Sequence, residues 1–299
     1  MADAKFSSPS ALDAVIVNYK TPRLTERCVR SILEYQITAA SRIVVVDNCS
    51  GDGSARIIRS ALPEIRLVEA GENAGFAAGV NQGVRALDGK YVVVLNPDTY
   101  FERNVRDDII DAFENDAGIG VIGFDLLNPD GRRQYSARRF YSLMDIAARR
   151  SASFGRICSS RLARHLMKDQ WHIGRPFDAD WVLGAGFVIR RSVYLDLGGM
   201  DARYFLYFED VDLCARVWRL GHRVVALPNT PLVHDHQRSS AARPLGFAGR
   251  AHLASLWRFT RKFELPIRRP PRIRHALDKA ESVAHPNFRG HQRRQPELK

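Results

Sequence analysis

Three short apolar runs most constrain how this chain folds: Leu12–Asn18, Ile43–Asp47 and Tyr91–Leu95. Each is rich in valine or isoleucine, and each gives way at once to a polar cluster. Between them lie helix-like segments, at Leu24–Ile37, Gly53–Ala61 and Phe76–Leu87, with a further strand-like run at Ile65–Ala70. Strands that are apolar throughout must be covered on both faces, and their alternation with helices predicts a mainly parallel sheet flanked by helices. A helix over Asn104–Asn115 and a strand over Ile119–Asp125 continue the pattern. In such sheets ligands bind beyond the carboxyl ends of the strands. The polar clusters stand at those ends: Asn18-Tyr19, Asp47-Asn48, Gly71-Glu72-Asn73 and Asn96-Pro97-Asp98.

After the turn signal Asn128-Pro129-Asp130-Gly131 the pattern becomes irregular. Ser142–Lys168 mixes basic and apolar residues, and it suits either helices lying on a membrane surface or a helical excursion packed on the core. Trp181–Ile189 returns to strand character, Asp210–Leu220 is helical up to Gly221, and Val224–Leu227 is a short strand. Phe247–Phe263 is helical, with Leu253, Leu256 and Trp257 among arginines. Proline and arginine dominate from Pro266, so residues 264–299 are expected to form a loosely ordered basic tail.

The net charge of +12 is local. Arg138–Lys168 holds eight Lys/Arg against one acid, and Arg261–Lys299 holds eleven against four, so the remainder is slightly acidic. Basic segments outside a neutral βα core favour an anionic membrane or diphosphates over nucleic acid, which needs a basic face with stacking aromatics. No apolar run is long enough to span a bilayer, and Met1–Ser10 has no apolar signal-like core. The four cysteines lack metal-type spacing and read as reduced thiols. A cytosolic protein is expected.

Two acidic signatures point to chemistry. Asp98 follows the apolar strand and Pro97, at the strand tip where a carboxylate can hold Mg²⁺ together with phosphates; the competing role is capping the next helix. In Tyr204–Asp212 an aromatic run leads into Glu209, Asp210 and Asp212. A carboxylate held there by burial can serve as a general base, and the competing role is complementing a helix dipole. Asp47 suits a base or ribose contact or an Asx turn, and Asn73 opens a helix whose N-terminus suits a diphosphate. His234 and His236 follow a strand and offer a metal ligand or are surface histidines.

The order of these motifs is more specific than any one of them. Asp47 to Ser54 (DNCSGDGS), Asn73 to Asn81 (NAGFAAGVN), Leu95 to Thr99 (LNPDT), Gly184 to Arg191 (GAGFVIRR), Gly198 to Cys214 and Val233-His234 together resemble glycosyltransferase family two on the GT-A fold, in its rhamnosyltransferase-like bacterial branch. The resemblance covers residues 13–263. It implies an inverting glycosyltransferase that moves a sugar, most often L-rhamnose from dTDP-rhamnose, onto a polyprenyl-diphosphate-linked glycan at the inner membrane face. A UDP-hexose donor such as UDP-galactose is the alternative. The donor half is expected over residues 12–128, the acceptor half over 129–240 and a membrane-proximal helix over 243–263. The resemblance makes Asp47 the base-binding aspartate, Asp98 the metal aspartate for Mg²⁺ or Mn²⁺, Asp210 of the Glu209-Asp210 pair the general base, and His234 a metal or diphosphate neighbour. Asn18, Tyr19, Asn73 and Asn96 join the donor nucleotide site. Two positions depart from the pattern: Asp235 stands where many relatives carry a second histidine, and Cys49 replaces a small turn residue.

Overall fold

The computed structural model describes residues 12–150, 156–235 and 247–263; the tail and His236 lie outside them. In chain order the elements are β1 (Leu12–Asn18), α1 (Pro22–Glu34), β2 (Ile43–Asp47), α2 (Ser54–Ala61), β3 (Arg66–Glu69), α3 (Phe76–Arg85), β4 (Tyr91–Leu95), β5 (Thr99–Tyr100), α4 (Arg106–Asn115) and β6 (Ile119–Leu127). There follow β7 (Ala137–Arg138), α5 (Leu143–Arg150), α6 (Ser159–His165), α7 (Lys168–Ile173), β8 (Phe177–Asp178), β9 (Trp181–Val182), β10 (Gly186–Arg190), α8 (Arg191–Asp196), α9 (Glu209–Arg219), β11 (Arg223–His234) and α10 (Phe247–Phe263).

One sheet runs through both halves in the order β3-β2-β1-β4-β10-β6-β11-β5, with β8 attached to β11. β3, β2, β1 and β4 are parallel, as are β6 and β11, whereas β10 runs antiparallel between β4 and β6. The strand order reverses at β1, whose neighbours are β2 and β4, and this makes a crevice beyond the carboxyl ends of β1 and β4. Because β10 is antiparallel, Gly186 pairs with Leu95. The turn leading into β10 is thereby set beside the tip of β4, where Asn96 N donates to Ala185 O at 2.9 Å.

Residues alternate between two cores across the sheet. Val15, Val17, Val92 and Val94 face α3 and α9, while Ala14, Ile16, Val93 and Leu95 face α1, α2 and α4. Every residue of β1, β2 and β4 is buried, which is why their sequences carry no polar alternation. Each such valine or isoleucine stabilises by about 1.5–3 kcal/mol. α3 lies close on β1 because a Cβ on Gly79 would come within 2.8 Å of Val17 Cγ1, and one on Gly83 would overlap Val15.

Two sequence expectations are corrected. The short strand expected over Val224–Leu227 is the twelve-residue β11, which passes a register break between Leu227 and Pro231 and so tolerates Pro228 and Pro231 where ladder donors are not required. The strand expected over Trp181–Ile189 is two strands, β9 and β10, divided by the turn that carries Gly184. In the basic excursion, Met167 joins the main core and Ile146 packs against it, so its described part packs on the body of the protein. α10 docks through buried Phe259 and Phe263, and through Lys262, whose ammonium lies 2.6 Å from Asp212 Oδ1 and 3.1 Å from Asp201 Oδ2. All four cysteines are free, and among the described residues no helix is long and apolar enough to cross a membrane.

Candidate active site

A cleft of about 940 Å³ opens at the tip of β4. Asn96, Asp98, Glu209, Asp210 and His234 all line it, although they lie far apart in the sequence. Topology brings them together. Asn96 to Thr99 form a tight turn, with Thr99 N and Oγ1 both donating to Asn96 O. The chain then enters β5, where Thr99 pairs with His234 at the end of β11. Asp235 N donates to Asp98 O at 2.8 Å and locks the two segments together.

Asp98 Oδ1 is buried without a hydrogen-bond partner and lies 3.6 Å from His234 Nε2. Gln134 fixes the ring. Its Nε2 donates to His234 O at 2.7 Å and Asn128 Oδ1 at 2.9 Å, so its Oε1 faces His234 Nδ1 at 2.8 Å as an acceptor. In the neutral ring Nδ1 therefore carries the hydrogen, and the Nε2 lone pair faces a carboxylate oxygen. Two facing acceptors with an orphaned buried oxygen are a fitting seat for a divalent cation. Among the described residues no three His, Cys, Asp or Glu side chains cluster as a complete metal cage. Two protein ligands suit an ion that takes its remaining ligands from phosphates and water.

The acidic pair is held by an unusual backbone. Tyr207 and Phe208 are consecutive non-glycine residues in the left-handed region, at φ of 69° and 67°. Such residues cost of the order of 1–3 kcal/mol each and persist only when their surroundings enforce them. Here Phe76 N donates to Phe205 O, and Phe208 packs against Tyr141, His252 and Phe259. The bend starts α9 at Glu209 and places both carboxylates at the cleft.

Their environments differ. Asp210 Oδ2 accepts from Gly184 N at 2.8 Å, and Oδ1 accepts from Val211 N at 2.8 Å. Burial raises its pKa, while these two donors and the positive field of Arg138 oppose the rise. Glu209 is 7% exposed and its Oε2 has no partner. Burial, reinforced by the charge of Asp210, pushes its pKa strongly upward. Asp210 thus has two N–H donors that favour its ionised form, whereas Glu209 Oε2 has none. Asp212, the third acid of the run, is fully buried against Arg216 and Lys262, each at 2.6 Å, and is structural.

Asn18, Tyr19, Asp47 and Asn73 stand on the same edge of the sheet but do not line this cleft. Asp47 is buried and accepts from Asn18 Nδ2 and Ser50 Oγ, each at 2.6 Å, and from Ser50 N at 3.1 Å. Asn18 is fully buried, and its Oδ1 accepts from Thr25 Oγ1 at 2.8 Å. It ties the β1 and β2 tips together rather than reaching outward. Asn73 Oδ1 accepts from Asn48 Nδ2 at 2.9 Å and Gly75 N at 3.1 Å, which fastens the start of α3 to the same turn. Tyr19, at 44% exposure, is the open side chain of the four. The sequence did not single out Gly184 as a donor to Asp210 or Gln134 as the brace of His234. The brace joins residues a hundred positions apart, so no local pattern announces it.

The family model for glycosyl transferase family 2 matches residues 13–193. An N-acetylglucosaminyl-diphospho-decaprenol L-rhamnosyltransferase of Mycobacterium tuberculosis is 28% identical over 82% of this chain and 80% of its own length. The rhamnosyltransferase WbbL of Escherichia coli K12 is 26% identical over 70% of this chain and 74% of its own length. Among solved structures, the mannosyltransferase PcManGT of Pyrobaculum calidifontis, in complex with GDP-Man and Mn²⁺, superposes with a TM-score of 0.57 at 18% identity, over 91% of this chain and 69% of that one. GalNAc-T7 with UDP, GalNAc and Mn²⁺ gives 0.58 at 15% identity, over 84% of this chain and 47% of that one. The chain is a glycosyltransferase with the GT-A fold, and it belongs to glycosyltransferase family 2.

Proposed function

We infer that the protein transfers L-rhamnose from dTDP-rhamnose, with inversion, to a sugar on a polyprenyl diphosphate, in the building of cell-wall or surface polysaccharide. The observation that carries the chemistry is the geometry of the acidic pair: Asp210 lines the cleft and accepts from Gly184 N and Val211 N, donors that favour its ionised form, while Glu209 Oε2 lies buried beside it without a partner. The choice of sugar and carrier rests on similarity to the mycobacterial transferase over four-fifths of both chains.

Asp210 takes the proton from an acceptor hydroxyl as that oxygen attacks the anomeric carbon from the face opposite the leaving group. The new C–O bond forms as the bond to the diphosphate breaks, and the nucleoside diphosphate departs with the electron pair. Gly184 N–H keeps Asp210 aimed, and the burial that raises the pKa of Glu209 favours its neutral form beside it. Asp98 and His234 would hold a divalent cation, Mg²⁺ or Mn²⁺, whose charge offsets that on the departing diphosphate. Asp47, with Asn18, Asn73 and Tyr19 around it, is the proposed seat of the nucleotide's base and ribose, and Asn96 flanks the diphosphate.

A position on the inner face of the cell membrane is supported by α10. It contains no carboxylate, and Trp257 and Leu253 are exposed among Arg250, Arg258 and Arg261. The test of the function is nucleotide release from a panel of dTDP- and UDP-sugars, with GlcNAc-diphosphate-polyprenol as acceptor. Acceptor-dependent release from dTDP-rhamnose supports the reading. Release from UDP-galactose or another UDP-hexose instead replaces the donor, and no acceptor dependence with any donor overturns it.

A further inference from the structure

A second cavity, of about 670 Å³, adjoins the cleft and shares Gln134 and Arg138 with it. Its size lies in the usual range of small-molecule sites, about 300–1,000 Å³. The basic excursion builds it. Arg156 and Lys168 join Arg138 on its lining, and among the described residues no Asp or Glu is part of that lining. Among the described residues no carboxylate pairs with Arg156 or Lys168. Asp145, the one acid of the excursion, is already bound to Arg161 at 2.6 Å. Lys168 Nζ lies 5.2 Å from the Tyr135 ring centroid, and Arg138 is stacked on Trp181 at 5.1 Å, so two of the three cations are steadied by rings. Between the charges the wall is apolar: Ala148 from α5, Leu162 and Ala163 from α6, and Leu166 just beyond α6.

Arg156 and Lys168 on one hollow repel each other unless an anion joins them. The apolar stretch calls for hydrocarbon attached to that anion. A diphosphate esterified to a prenyl chain supplies both. We propose that this cavity is the subsite for the diphosphate and first prenyl units of the lipid-linked acceptor, with Arg156 and Lys168 as its anion ligands. The inference rests on the acceptor class proposed above. It explains the position of the cavity, because the sugar carried by that diphosphate then reaches past Arg138 into the cleft and toward Asp210. Gln134, which braces His234, forms the partition between this subsite and the donor's diphosphate beside Asp98.

Arg138 acts on Asp210 and is left intact in the test. The full chain is assayed in neutral detergent, free of phospholipid, as wild type, Arg156→Gln/Lys168→Gln and Arg156→Lys/Lys168→Arg. The double glutamine variant should raise the acceptor KM by about tenfold or more, the loss of two charge-assisted contacts, with the donor KM within about twofold of wild type. The charge-preserving variant should recover most of the loss. Farnesyl diphosphate should compete with the acceptor in wild type and lose potency in the glutamine variant, while farnesol competes in neither. An unchanged acceptor KM overturns the proposal. So does a rise in donor KM, or farnesyl diphosphate competing with donor. Weakened binding to anionic vesicles with normal acceptor KM in detergent assigns the cavity to a bilayer headgroup instead. Wild type that fails to use any polyprenyl-diphosphate sugar defeats the acceptor class itself, whereas turnover that is equal in all variants defeats this subsite alone.

Discussion

His234 turns Nε2 toward Asp98 Oδ1 across 3.6 Å, and the carboxylate oxygen on the other side of that gap has no hydrogen-bond partner. A buried acceptor left unsatisfied costs about 1–3 kcal/mol, more when charged, so a cation that satisfies it should stabilise the fold. Mn²⁺ with a nucleoside diphosphate at about a hundred times its dissociation constant should add about 2.7 kcal/mol to wild type, read as a rise in Tm. Asp98→Ala should lose that rise while the protein without metal keeps its Tm or gains slightly. An equal metal-dependent shift in both proteins would remove Asp98 from the metal site.

Asp210→Asn should lower kcat by about 10²–10⁴-fold and leave nucleotide binding intact, because Gly184 N still finds an acceptor while the base is gone. Glu209→Gln, which mimics the protonated partner, should cost far less. Since Asp210 must be ionised to act and burial raises its pKa, activity should rise with pH through a limb above the ordinary aspartate value of 3.8. Stability follows the opposite course. Glu209 holds its proton more tightly folded than unfolded, so from its ordinary value of 4.5 up to its raised value the native state binds more protons, and stability falls as pH rises. Glu209→Gln should therefore raise Tm more at pH 7 than at pH 5, and thermal melts at the two values decide it.

Much of this arrangement was legible in the sequence, because β1, β2 and β4 are apolar on both faces and their ends are polar. The sequence also marked Asp98, Asp210 and His234, which the fold gathers in one cleft. It did not show which way the side chains at the strand tips turn. Asn18 and Asn73 sit in the polar clusters, yet both spend their amides on neighbouring turns. The strand expected to end at Leu227 is followed by Pro228 and Pro231. They fall at a register break, and β11 continues to deliver His234. Gln134 and Gly184 act through partners distant in sequence, and only the closed sheet makes those pairs.

Gly83 sets two effects against each other. Alanine is favoured over glycine by about 1 kcal/mol in a helix interior, so propensity alone predicts that Gly83→Ala stabilises α3. The added Cβ would overlap Val15 on a fully buried central strand, and overpacking of this kind costs about 1–3 kcal/mol. Packing should win, and chemical denaturation should show a net loss. Val15→Ala introduced with Gly83→Ala should recover part of that loss relative to Val15→Ala alone, since the clash is then relieved. A stabilising Gly83→Ala would mean that α3 lies farther from β1 than described.

The outer face of α10 makes a separate prediction about location. Ser255, Phe259 and Phe263 point inward and fix the rotation of the helix, so Arg250, Leu253, Trp257 and Arg261 form one outward stripe at spacings of three and four, with exposed Arg258 at its edge. The Arg261 guanidinium sits 4.6 Å from the Trp257 ring, which keeps charge and apolar surface adjacent. Each arginine near an anionic surface contributes about 1 kcal/mol, and the tryptophan adds an interfacial anchor. Arg258→Gln/Arg261→Gln should thus weaken flotation with anionic vesicles by about thirtyfold at low salt, and raising salt should narrow the gap between wild type and variant. Trp257→Ala should weaken flotation in a manner that salt does not erase. Neither change touches the cleft, so turnover of a short-chain acceptor in detergent should stay near wild type. Wild type that fails to float at low salt would place the lipid-linked acceptor's delivery on some other surface.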